Sequence, residues 1–216
     1  FINGRIEKID FNYEDENKIE ILDEIELKDK PNFENSLIDL NNAFTNKCYK
    51  IVVKENYSLK KPLIIYHSTN ENLQLKNINL RLDFLLKENS CLKLIDISDD
   101  LSVSNFINTI YNFKLNKDSV LKNYKIDKKI NSNVKYSFNN IEQDTNSISE
   151  TFILSSGSSF IKNEINCNLN GKYSSAFING IFSLNEKRHH EIRTSINHLI
   201  DNTKSYQLIK SVLEND

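Results

Sequence analysis

Three of the four histidines lie in one run, His189-His190-Glu191-Ile192-Arg193-Thr194-Ser195-Ile196-Asn197-His198. Imidazole and carboxylate groups bind zinc or iron, so His189, His190, Glu191 and His198 are the first candidates for a metal site. The run alternates with period two. Ile192, Thr194, Ile196 and His198 fall on one face, and Arg193, Ser195 and Asn197 on the other. His190 and His198 then share a face but lie eight residues apart, roughly 27 Å along a straight strand. Unless a corner intervenes they do not meet at one ion. The stronger expectation is structural: His198 turned into a core and held by a hydrogen bond, because an unpaired buried imidazole is costly.

Other reactive groups give weaker signals. Cys48, Cys91 and Cys167 are odd in number, widely spaced and form no C-x-x-C pair, which excludes a disulfide framework and a zinc knuckle. Cys167 sits between Ile165 and Leu169 and reads as a small buried hydrophobe. Ser155-Ser156-Gly157-Ser158-Ser159 lacks the spacing and following helix of a phosphate loop. The acids of residues 14–24 lie in a charged run with nothing apolar to raise a pKa. No catalytic, cofactor-binding or metal-binding residue is assigned on these grounds.

The elements that would position these groups are mostly strands. Ile78/Leu80/Leu82/Phe84, Tyr111/Phe113/Leu115, Tyr124/Ile126, Val134/Tyr136/Phe138, Ile148/Phe152/Leu154, Ile161/Ile165/Cys167/Leu169 and Ile178/Gly180/Phe182/Leu184 all alternate with polar residues. Ile19, Ile21 and Ile25 suggest an edge strand before a break at Pro31. One segment changes period: Leu37, Ile38, Leu40, Ala43 and Phe44 predict a short amphipathic helix over 35–46, capped by Asn35 or Ser36. The chain has only four glycines and two prolines, against a usual ~7% and ~5%. Asn is the natural substitute at turns, since it tolerates the left-handed conformation. A Gly-poor, Asn-turned chain of short strands fits a parallel β-helix better than a sandwich of tight hairpins. Late polar-then-apolar starts recur about every fifteen residues. On the order of seven coils, stacked ~4.8 Å apart, would give a rod roughly 35 Å long.

The formal net charge is −2, so the chain has no general attraction to nucleic acid or an anionic membrane. With no long apolar run and no disulfide pattern, a reducing cytoplasmic setting is the expectation, or an organelle stroma if a targeting segment has been removed.

Two stretches carry a resemblance. Leu40-Asn41-Asn42-Ala43-Phe44, leading to Ile51-Val52-Val53 and Lys61-Pro62-Leu63-Ile64-Ile65, resembles the start of the core of the SufB/SufD family, on its SufD side. The later order is similar as well: Leu169-Asn170-Gly171, Asn179-Gly180, His190-Glu191, His198, then Thr203-Lys204-Ser205-Tyr206-Gln207-Leu208-Ile209-Lys210. The matching residues are Asn41, Ala43, Phe44, Glu191, His198, Ser205, Gln207 and Lys210. The resemblance implies an all-β, right-handed parallel β-helix core with one short helix near its N-terminal end. Residues 1–34 would be a lead-in segment with a charged loop, and 35–216 a core truncated at both ends relative to the family. It implies a non-catalytic scaffold that pairs with a SufB-like subunit and a SufC-like ATPase, which supplies ATP hydrolysis. A nascent iron–sulfur cluster would form in the assembled complex, with ligands beyond Asp216 and none in this segment. A carbohydrate-active β-helix enzyme of the pectin-lyase type and a generic β-solenoid interaction domain are the alternatives.

Overall fold

The structure is a computed structural model that describes residues 1–24, 35–45, 47–69, 77–98, 104–128, 130–185 and 188–214. Ile25, the break at Pro31 and residue 46 of the expected helix lie outside the described residues. In chain order the elements are β1 (Ile19–Glu24), α1 (Ser36–Phe44), β2 (Cys48–Val53), β3 (Leu63–His67), β4 (Asn77–Leu86), β5 (Cys91–Ser98) and β6 (Phe106–Leu115). They continue as β7 (Val120–Asp127), β8 (Asn131–Gln143), β9 (Ile148–Ser155), β10 (Ser158–Leu169), β11 (Ser175–Leu184), β12 (His189–His198) and β13 (Lys204–Leu213).

Strands alternate between two sheets. One is seven-stranded, in the order β1-β2-β4-β6-β8-β10-β12, and the other six-stranded, in the order β13-β11-β9-β7-β5-β3. All pairings are parallel except β1 with β2. The result is a β-solenoid of about five turns, fewer than the seven coils expected. The fifteen-residue recurrence is one strand and its corner, so it counts half-turns.

Asn does replace Gly at the corners. Asn56, Asn89, Asp118, Asn146, Tyr173 and Asn202 occupy one corner in successive coils, all with φ between 54° and 65°. Each from Asn89 onward is followed by a hydroxyl that closes the turn. Ser90, Ser119, Ser147 and Ser174 Oγ donate to the carbonyls of Lys87, Asn116, Asp144 and Gly171 at 2.6–2.7 Å, and Thr203 donates to Ile200 at 3.3 Å. Gly171 is required by close approach: a Cβ there would lie 1.9 Å from the Thr145 nitrogen of the coil below.

In-register stacking builds the lumen. Inward rows of the seven-stranded sheet are Leu82–Tyr111–Asn139–Ile165–Thr194 and Phe84–Phe113–Ile141–Cys167–Ile196. Phe84 and Phe113 stack at 4.7 Å. The outer face of this sheet is polar where it is bare. Asn166 donates to Asn140, Asn197 donates to Asn166 and Asn168, and Asn168 donates to Glu142. Elsewhere α1 covers it, burying Ile38 against Ile110, Tyr136 and Phe138. The helix is one turn fraction shorter than expected and is capped by Asn35, whose side chain accepts from the Leu37 N–H. Its central anchor is polar: buried Asn41 donates to the carbonyls of Asn108 (2.9 Å) and Leu80 (3.3 Å).

The six-stranded sheet is different. Its outward rows are Ile64–Ile95–Tyr124–Phe152–Asn179–Leu208 and Tyr66–Ile97–Ile126–Leu154–Ile181–Lys210. This leaves an apolar stripe facing solvent.

Candidate functional site

The two expected metal candidates do not meet. His190 pairs in register with Ile161 and His198 with Leu169, at opposite ends of β12. His190 is half-buried and bridges two chain segments: Nδ1 lies 2.9 Å from Ser155 Oγ and Nε2 lies 2.8 Å from the Ser158 carbonyl. A carbonyl only accepts, so Nε2 carries the proton and Nδ1 accepts from Ser155. Burial also pushes the ring's pKa down, which favours this neutral form.

His198 corrects one expectation. It occupies an inward row, above Leu169 and Gln143, but its side chain is exposed because β12 is the edge strand of its sheet. It is held by Thr203 Oγ1 at 2.6 Å and Ser205 Oγ at 3.0 Å. Beside it, Thr194 Oγ1 donates to Gln207 Oε1 at 3.1 Å. Thus His198, Ser205 and Gln207 form one polar rim joining β12 to β13. Glu191 instead faces Lys162 at 3.6 Å on the outer surface, Lys210 is exposed on β13, and Ala43 and Phe44 are exposed on the helix.

Sequence reasoning missed a second constellation inside the solenoid. At the corner where strands of the six-stranded sheet end and those of its partner begin, charged side chains point inward. His67 Nε2 lies 3.0 Å from Asp96 Oδ1 and 2.8 Å from the Tyr111 hydroxyl. Lys135 Nζ lies 2.8 Å from Asp127 Oδ2, which also accepts from Ser158 Oγ at 3.2 Å. Lys125 donates to Ser137 Oγ. His67, Asp96, Lys125, Asp127, Lys135 and Ser137 line a cavity of about 40 Å³; a water needs roughly 10–15 Å³ on that measure, so a few water-sized species fit.

Electrostatics in this chamber are set by burial first. Burial drives the Asp96 carboxyl upward, but the charge and hydrogen bond of His67, with Lys125 and Tyr111 behind them, outweigh it and hold the pKa below the usual range. Burial and the Asp96 charge push the Tyr111 hydroxyl well up. Burial also depresses the Lys125 ammonium, opposed by Asp96 and reinforced by Lys135. Lys135 is paired directly with Asp127 and Lys125 feels the charge of Asp96, so the opposite charges in the chamber offset one another and suit holding coils in register. Its signal lay in strand phase: Leu92 and Leu94 point inward, so Asp96 must as well.

Two of the three thiols are enclosed, and Cys91 is half-buried. Cys167 donates to Gln143 Oε1 at 3.1 Å, and burial pushes its pKa up to about 12. Cys48 is buried. Among the described residues no group of three or more His, Cys, Asp or Glu could hold a metal ion. Nor is any helix there long and apolar enough to cross a membrane.

A family model described as SUF system FeS cluster assembly, SufBD core domain, matches residues 66–216. No curated protein matches the chain.

Proposed function

The chain belongs to the SufBD core-domain family of the SUF iron–sulfur cluster assembly system, and from that premise we propose that it is a SufD-type scaffold subunit. Its role lies in cluster assembly. On this reading it pairs with a SufB-like subunit and works with a SufC-like ATPase, while the nascent cluster is cargo of the complex. The protein itself turns over no substrate, and it acts in the cytoplasm or an organelle stroma.

The observation that carries this reading is the family match laid over an in-register stack in which His190, His198 and Cys167 are committed to structure. His190 is locked between Ser155 and Ser158, His198 ties β12 to β13, and the Cys167 thiol is buried and held protonated. A thiolate or free imidazole would be needed to take up iron. The SufD side of the family is favoured by the helix motif at Leu40–Phe44 and by the rim residues His198, Ser205 and Gln207. Family membership also displaces the carbohydrate-active alternative.

Co-expression of the full-length protein with SufB-like and SufC-like subunits tests the proposal. The three should co-purify, and reconstitution with iron and sulfide should give cluster absorbance that falls when this subunit is omitted. Purification of the subunit alone, with cluster yield unchanged by its omission, would overturn it.

A further inference from the structure

The two outer faces of the solenoid differ in kind, and that difference carries an inference. On the seven-stranded sheet the bare surface is mainly an amide ladder, α1 covers most of the apolar part, and Val134 is an outward apolar side chain left exposed, at 41%. On the six-stranded sheet the two apolar rows stay open, with Ile64 56%, Tyr66 47%, Tyr124 38%, Ile181 41% and Leu208 43% exposed. Parallel sheets are normally covered on both faces, and contiguous apolar patches on soluble proteins mark interaction sites. We propose that this stripe is the docking site for an acid-bordered amphipathic helix of a partner protein.

Shape and charge select that occupant. The stripe is two side chains wide, about 7 Å, and crosses six strands, about 24 Å. That is the apolar face of a helix of about sixteen residues. Near its middle Tyr124, Phe152 and Phe177 wall a depression of about 310 Å³ with Glu150, Thr151 and Asn179 in its lining, a socket for one large anchoring side chain. The border is basic. Lys93 and Lys122 point outward in the row beside the stripe, Lys204 stands one row further out and Lys210 ends the stripe itself, while Glu150, paired to Lys122 at 3.1 Å, is the one outward carboxylate among the sheet's described residues. A second copy of this chain offers no acidic border, since Glu150, the one outward carboxylate described, is already held by Lys122. An acidic border meets the lysines with opposite charge.

The proposal is independent of the SufD assignment, because it rests on this face alone. Its test places a photo-cross-linking phenylalanine analogue at Phe152 of the full-length protein in cells, with the same analogue at Ser195 on the polar face as control. Cross-linked peptides are identified by mass spectrometry. The expected result is one amphipathic segment of another protein, with Asp or Glu flanking its apolar residues. A synthetic peptide of that segment should bind the purified protein and lose at least tenfold in affinity with Tyr124→Ser plus Ile126→Ser. The pair Lys93→Glu and Lys122→Glu, which leaves the apolar stripe intact, should weaken it at least fivefold. Cross-links to a second copy, to lipid, to scattered unrelated peptides, or no stronger than at Ser195 would overturn the proposal. So would a peptide whose affinity ignores both pairs of substitutions.

Discussion

Asp96 shows how one residue can set the chamber's response to pH. It is 3% exposed, yet its pKa lies below the ordinary 3.8 because His67 and its neighbours stabilise the ionised form. A carboxyl with a depressed folded pKa contributes stability that is complete above the unfolded value and is lost as pH falls through the folded one. Asp96→Asn should therefore be less stable than the parent by a constant margin at neutral pH, and that margin should shrink below about pH 3.8. Urea midpoints taken from pH 3 to pH 7 for both proteins would check this, and a margin that stays constant down to pH 3 would refute it. At neutral pH the cost should be on the order of 3 kcal/mol, since removing one partner of a buried pair leaves the other poorly compensated.

At the scale of the element, the corner ladder is the informative case. Five of its six left-handed residues are Asn or Asp, and the sixth is Tyr173 at φ 65°. The left-handed region costs an ordinary L-residue about 1–2 kcal/mol, and Asn less. Tyr173 is 62% exposed, so little packing offsets that strain. Tyr173→Asn should raise stability by roughly 0.5–1 kcal/mol, seen as a melting temperature a few degrees higher. A lower melting temperature would mean that the tyrosine ring makes a contact worth more than its backbone strain. The helix follows a similar logic: Asn41 is buried because its amide replaces hydrogen bonds to the carbonyls of β4 and β6, while Phe44 on the far side stays exposed.

For the whole molecule, stability should be graded along the rod, because each coil contacts only its neighbours. The lumen is most apolar around β4 and β6, where Leu82, Phe84, Leu86, Tyr111, Phe113 and Leu115 are at most 2% exposed. It becomes polar at the later coils, with Asn123, Ser137, Asn139, Thr151 and Asn163 buried, and β13 is exposed along its length. Hydrogen exchange should therefore be slowest in β4 and β6, intermediate in β8 and β10, and fastest in β13. Uniform protection across these strands would show that the solenoid opens as one unit instead.

Local chemistry made much of this protein readable from its residues. Period-two alternation marked the strands, scarce glycine pointed to Asn corners, and Asn35 with the Leu37/Ile38 spacing placed the helix. The coil length, which the fifteen-residue recurrence counted in halves, is carried by the Asn/Asp-Ser pairs at Asn89, Asp118 and Asn146, about 28 residues apart, and by Asn202-Thr203 two coils later. Alternation, however, does not say which side is inside. Tyr136 and Phe138 alternate as regularly as Tyr111 and Phe113, but they face outward under α1 while Lys135, Ser137 and Asn139 enter the lumen. Tyr124/Ile126 and Phe152/Leu154 likewise face outward. The sequence by itself determined the elements, because propensity and hydrogen-bond closure act within a few residues. The tertiary structure alone decided which side chains share the charged chamber, which face of each alternating strand makes the apolar stripe, and the exposure of His198 at the sheet edge. Those depend on which strand face turns inward and which side chains stack from coil to coil, relations that alternation within one strand does not encode.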